Sequence, residues 1–246
     1  MSEHTFSPAW RARSLGRRGF LRVSAASAAT VALVAATGCG STNTPQPIAP
    51  SPYQLVLPAG DPGLVYFAYL LALAQATLYQ RVIDSPPGDL TTAERAVFAD
   101  LRDHEVVYRE LFKSTIDPTR SKDVLPADFA FNPASLALSS RAGVLAAAQQ
   151  FEDLAAAGYP VLLLLVTTAG ALLQTVLLKA GSVHARHAAT VRNLLAPGSF
   201  ADADVVEPTG TLAGQARTKT PVEVMAALAP YFAPYVISVA NLAVPA

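Results

Sequence analysis

Tyr66-Phe67-Ala68-Tyr69-Leu70-Leu71-Ala72-Leu73-Ala74-Gln75-Ala76-Thr77-Leu78-Tyr79 is apolar on almost every helical face. A helix of that kind is buried on most sides and needs several partners rather than one. Asp61-Pro62 marks its start, with proline in the first turn. Ser85-Pro86-Pro87-Gly88 marks its end. The partners lie C-terminal to it.

Thr91-Thr92-Ala93-Glu94 opens a second helix, Thr91 and Glu94 having capping-box spacing. The helix is expected to run to about Ser114, with an inward stripe of Val97, Leu101, Val107 or Tyr108, and Leu111, and with Arg95, Arg102 and Arg109 on the wetter side. Asp117 to Pro133 reads as a loop punctuated by Pro118, Pro126 and Pro133. A third helix is expected from Ala134 to Ala157, with Asn132-Pro133-Ala134-Ser135 as its start signal, a break near Ser139-Ser140 and an interruption at Gly158-Tyr159-Pro160. Val161 to Leu178 is long and apolar, but Thr167, Thr168, Gly170 and Gln174 interrupt it, so it reads as a buried bundle helix rather than a membrane span. Its polar end reaches Leu195 before Ala196-Pro197-Gly198, and a short helix is expected from Pro221 to about Leu228.

The N-terminal end has a different character. Ser14-Leu15-Gly16-Arg17-Arg18-Gly19-Phe20-Leu21 precedes an uncharged Ala/Val run that closes on Ala36-Thr37-Gly38-Cys39. A basic region, a short apolar run and a small-residue cleavage site make an export leader. The Arg17-Arg18 pair points to the Tat translocase, and Cys39 sits where a lipoprotein is cut and lipidated. Residues 1–39 are therefore read as a Tat/lipoprotein signal region, 40–60 as a flexible tether rich in Ser, Thr, Asn, Gln and Pro, and 61–246 as one domain. The expected location is the periplasm or cell envelope, with a lipid on Cys39 holding the chain to the membrane.

Removing Arg11, Arg13, Arg17, Arg18, Arg22 and Glu3 with the leader leaves 13 of 18 basic and 17 of 18 acidic residues, a net charge of about −4. That excludes a basic face for nucleic acid. Cys39 is the sole cysteine, so no internal disulfide can form and the fold stands on its core. Ala and Leu dominate, which favours helices. No nucleophile elbow, phosphate-cradling glycine loop or catalytic triad is present, and no catalytic residue is assigned.

The chemistry-bearing residues lie on the long helices. His104-Glu105 falls in the second, Glu152 among alanines and leucines in the third, and His184-Ala185-Arg186-His187 on the last, its two imidazoles sharing one face. A carboxylate among apolar residues is costly unless paired, hydrogen-bonded or metal-bound. Carboxylates and imidazoles on facing helices are how bundles build metal sites. His104 points about 100° away from Glu105 around the helix and reads as a rim residue. Arg186 is expected to pair with an acidic neighbour, and Tyr66, Tyr69 and Tyr79 read as core or rim aromatics.

Leu101-Arg102-Asp103-His104-Glu105-Val106-Val107-Tyr108, Phe151-Glu152-Asp153-Leu154 with Tyr159, His184-Ala185-Arg186-His187-Ala188-Ala189 and Ala76-Thr77-Leu78-Tyr79 resemble, in order and spacing, segments of the ferritin-like proteins. The resemblance is to the bacterial Tat-exported branch related to plant desiccation-associated proteins, and covers most of Leu64 to Leu195. It implies an all-α fold: a ferritin-like up-down four-helix bundle with short C-terminal helices.

It also implies a metal site, with departures. The family pattern takes one Glu from each of two helices and Glu-x-x-His from each of the other two. Here Glu105, Glu152 and His187 match, Tyr108 stands for the first histidine, His184 replaces a glutamate, and Ala72 or Gln75 stands where the first-helix glutamate belongs. The implied ligands are Glu105, Glu152, His184 and His187, with Gln75 and Tyr108 behind them. Such a set suits one transition-metal ion better than two: zinc, or iron or manganese with added water. The other readings are a metal-free bundle in which Glu105 with His187, and Glu152 with His184, are plain hydrogen-bonded pairs, serving stress protection, or a bundle that docks other envelope proteins. A homodimer stays open.

Overall fold

The computed structural model describes residues 53–116, 126, 128–167 and 170–242. The leader with Arg17 and Arg18, the Cys39 lipidation site, most of the tether and much of the second inter-helix loop lie outside the described residues.

Four long helices make the body: α1 (Asp61–Asp84), α2 (Thr92–Ile116), α3 (Arg141–Leu165) and α4 (Ala171–Leu195). They pack as two pairs, α1 with α2 and α3 with α4, joined by contact between α1 and α3. A short helix α5 (Pro221–Leu228) lies against α3. β1 (Gln54–Val56) pairs in parallel with β2 (Val236–Ser238), so the end of the stretch expected to be tether is instead bound to the domain. Leu55 and Leu57 are buried there, which fixes the strand.

α1 behaves as its composition requires. Leu64, Phe67, Ala68, Leu70, Leu71, Ala72, Ala74, Gln75, Leu78 and Tyr79 are all buried. By length and composition it could cross a membrane, but 83% of its apolar window is covered by the bundle.

α2 opens on the expected capping box: the Thr91 N–H donates to Glu94 Oε2 at 2.9 Å and the Glu94 N–H to Thr91 Oγ1 at 3.2 Å. Of its expected inward stripe, Leu101 is buried and Val97 and Tyr108 pack half-buried against the core, but Val107 and Leu111 do not. Glu94, Phe98, Leu101, Glu105 and Phe112 are buried, whereas Val107 is 64% exposed and Leu111 39%. The helix is rotated so that Glu105 faces the core, an orientation hydrophobic periodicity scores against.

The third helix begins seven residues later than expected, at Arg141, where the Ser140 hydroxyl accepts from the Gly143 N–H at 3.2 Å. Asn132 caps only a turn, accepting from Ala134 N–H at 3.0 Å. The helix then runs straight through Gly158-Tyr159-Pro160. An interior proline costs about 3 kcal/mol. Burial of Tyr159, Val161 and Leu162 around it offsets that, at roughly 1.5–3 kcal/mol each.

The break comes instead inside the apolar run. After Leu165 the chain turns, and α4 starts at Ala171, so Val161–Leu178 is two helix ends and not one helix. Asp61 holds this turn: its carboxylate accepts from the Thr167 N–H and Oγ1–H, both at 2.9 Å. The position expected to cap α1 therefore braces the α3–α4 corner, and Gly60, at φ 69°, is the N-cap.

Two ion-pair clusters tie the helices together. Arg141 Nε donates to Glu94 Oε1 at 2.7 Å and its Nη2 to the Leu194 carbonyl at 2.9 Å, linking the ends of α2, α3 and α4. Arg192, 3% exposed, grips Asp153 through Nε and Nη2 at 2.9 and 2.7 Å, and Asp204 at 3.1 and 2.6 Å.

Candidate metal centre

Glu105 from α2, Glu152 from α3, and His184 and His187 from α4 converge in the middle of the bundle. Glu105, Glu152 and His184 are 0% exposed and His187 6%. Each offers one ligand atom, and these atoms lie within 4.8 Å of one another. His184 Nδ1 is 3.1 Å from Glu152 Oε2 and 3.6 Å from Glu105 Oε1. His187 Nδ1 is 3.4 Å from Glu105 Oε1 and 3.6 Å from Glu152 Oε1. The one-turn spacing of 184 and 187 puts both imidazoles on the same face, and both present Nδ1 to the carboxylates.

Close packing makes room for this. A Cβ on Gly181, one turn before His184, would lie 3.1 Å from Tyr159 Cβ. Its absence lets α3 and α4 approach, and the Tyr159 ring stacks on His184 with centroids 4.9 Å apart and planes 10° apart. Tyr108 sits on another side of that imidazole, centroids 5.6 Å apart. Gln75 Nε2 is 3.4 Å from His184 Nδ1. Both residues expected behind the ligands are thus beside His184.

Tyr79 is a site residue that sequence reasoning assigned only to core or rim. Its hydroxyl donates to Glu152 Oε1 at 2.6 Å. Ala76-Thr77-Leu78-Tyr79 resembles the family's first-helix ending, but no local pattern marks a hydrogen bond from Tyr79 to α3. His104 is on the rim as expected, yet its Nδ1 reaches His187 Nε2 at 3.0 Å. Among the described residues Arg186 meets no acidic partner of the kind expected for it: its guanidinium donates to Ser182 Oγ at 2.8 Å.

The electrostatics are those of two carboxylates and two imidazoles sealed from water. Burial alone raises the Glu152 carboxyl, but the hydrogen bond with His184 and the nearby His187 imidazole overcome it and hold the group down at about 2. Burial likewise raises Glu105, and there the histidines do not compensate, so Glu105 stays above its ordinary range. Burial would lower His187, but the Glu105 and Glu152 carboxylates facing its Nδ1 at 3.4 and 3.6 Å lift it to about 9. His184 is raised by the same two carboxylates against its own burial. Burial pushes the Tyr79 and Tyr159 hydroxyls well above the ordinary tyrosine range.

The group is not satisfied by its own bonds. Both Glu105 oxygens, Gln75 Oε1, Tyr159 Oη, His184 Nε2 and His187 Nδ1 are buried without a hydrogen-bond partner. Buried polar groups are rarely left so. The donor set fits one divalent ion: two carboxylates neutralise its charge and two Nδ1 atoms complete four ligands. It does not fit two ions. Burial raises the Tyr108 phenol and keeps it protonated, a poor substitute for an imidazole, and Gln75 and Ala72 on α1 bring no bridging charge.

A four-helix body with carboxylates and imidazoles facing inward from its helices defines a helical bundle whose buried Glu/His group could hold a metal ion. The chain belongs to the ferritin-like domain family, whose model matches residues 60–197. No curated protein and no solved structure matches the chain.

Proposed function

We propose that this is an exported, envelope-anchored ferritin-like protein that binds a single divalent transition-metal ion through Glu105, Glu152, His184 and His187. The observation that carries the reading is the set of four ligand atoms within 4.8 Å, several of them buried and unpartnered. When bound, the ion supplies a Lewis-acid centre, or with iron or manganese a redox centre, shielded from bulk water. The chain's own residues do the rest. Tyr79 anchors Glu152, Tyr159 and Tyr108 wall in His184, and the surrounding core excludes solvent.

Export rests on the Arg17-Arg18 leader, and membrane attachment on Cys39. Arg17→Lys with Arg18→Lys should retain the protein in the cytoplasm. Cys39→Ser should release it from the membrane fraction.

The metal reading is tested by mass spectrometry of protein purified after export, beside a Glu152→Ala/His187→Ala double variant. About one equivalent of zinc, iron or manganese in the wild type, lost in the variant, is expected. A folded wild type free of metal, with no uptake on addition, would leave the bundle as a protective or docking module.

A further inference from the structure

Adjacent residues of α2 face different ways: Glu105 points into the core, while His104 is exposed at its edge. Yet His104 reaches across to α4, where its Nδ1 lies 3.0 Å from Nε2 of His187. The two ring planes are 1° apart and their centroids 5.2 Å apart. The nitrogens are far closer than the centroids, so the rings meet edge to edge, as a ring N–H donor requires. His187 is also the most solvent-near of the four candidate ligands.

An imidazole ligating through one nitrogen must carry its proton on the other, and the partner of that proton sets the tautomer. His187 presents Nδ1 to Glu105 and Glu152, at 3.4 and 3.6 Å, and Nε2 to His104. His104 can hold its own proton on its outer nitrogen, where water satisfies it, leaving Nδ1 as acceptor.

We propose that His104 is a positioning residue for the metal site: its Nδ1 accepts the Nε2 proton of His187, leaving Nδ1, which faces the two carboxylates, as the nitrogen that ligates an ion held among them. This rests on the metal-binding reading above, but the hydrogen bond itself does not require an ion. It would also explain why a histidine sits at the seam between α2 and α4, where any polar residue would satisfy solubility.

Two measurements test it. Nitrogen-15 NMR of chelator-treated wild type, held above pH 9 where the His187 ring is neutral, should show the bridging proton on His187 Nε2, coupled to His104 Nδ1. Zinc titration should show His104→Phe binding 10–100-fold more weakly, the usual cost of losing such a support. His104→Asn, whose Oδ1 takes the place of Nδ1 as acceptor, should restore affinity to within about threefold. A bridging proton on His104 Nδ1, or wild-type affinity in the phenylalanine variant, would overturn the proposal. If the wild type binds no zinc, the metal reading fails by itself and the NMR result still decides the role of His104.

Discussion

The Tyr79 hydroxyl donates to Glu152 Oε1 across 2.6 Å, a bond between α1 and α3 with both ends fully buried. Tyr79 is held well above the ordinary tyrosine range, so it remains a donor throughout the physiological range. Glu152 is held at about 2 by its histidine partners, so it remains an acceptor. A hydrogen bond to a charged group is worth about 1.5–3 kcal/mol. Tyr79→Phe should therefore lower unfolding free energy by about 2 kcal/mol. Urea denaturation measures it, and a loss under about 0.5 kcal/mol would mean the carboxylate finds another donor.

Glu105 predicts the opposite trade. Both its oxygens are buried and unpartnered, and burial raises its carboxyl. Sites built for a ligand are commonly destabilising without it. Glu105→Gln, similar in shape and uncharged, should raise the melting temperature of chelator-treated protein near neutral pH and abolish the further rise on adding zinc. Paired melts of wild type and variant, each with and without zinc, separate the two effects. A variant less stable than wild type in chelator would show that Glu105 is a structural partner of the histidines.

Arg192 is a structural neighbour of the site rather than part of it. It fixes Asp153, beside Glu152, from a position on α4 five residues beyond His187. Removing one partner of a buried pair costs more than the pair contributes, because the other charge is left behind. Asp153 is 18% exposed and Asp204 62%, so water softens the loss. Arg192→Met should cost about 2–3 kcal/mol. Metal stoichiometry should stay unchanged, since the variant touches none of the four ligands. Calorimetry and metal analysis on one preparation check both parts.

Much of this architecture is legible locally. The Thr91–Glu94 box, the proline start of α5 and the buried character of α1 all follow from short-range rules. The four candidate ligands stand out from the order of motifs along the helices, and the structure brings those side chains within 4.8 Å of one another. What local rules miss is tertiary. Pro160 reads as a stop, but burial of Tyr159, Val161 and Leu162 carries α3 through it. Glu105 reads as surface on a hydrophobic scale, and assigning it there turns the stripe towards Val107 and Leu111. Tyr79 and His104 act through partners 73 and 83 residues away, and nothing beside them in the chain reports those partners.

The last prediction couples pH to metal. In chelator-treated protein His187 is raised from 6.5 to about 9, so its contribution is whole below 6.5 and fades as pH rises through 9. The raised Glu105 carboxyl acts in the same direction, because its neutral form is the one the fold prefers. Glu152 is lowered from 4.5 to about 2, so its contribution is whole above 4.5 and is lost as pH falls towards 2. The metal-free cluster therefore stabilises the fold most between 4.5 and 6.5. An ion competes with protons for His187 Nδ1 and the carboxylates, so its binding strengthens as they deprotonate. Thermal melts with and without zinc should diverge steadily from pH 6.5 towards 9, the zinc-loaded protein holding its melting temperature while the stripped one declines. Parallel curves across that interval would mean that the protons and the ion do not share these four side chains, and the single-ion site would have to be abandoned.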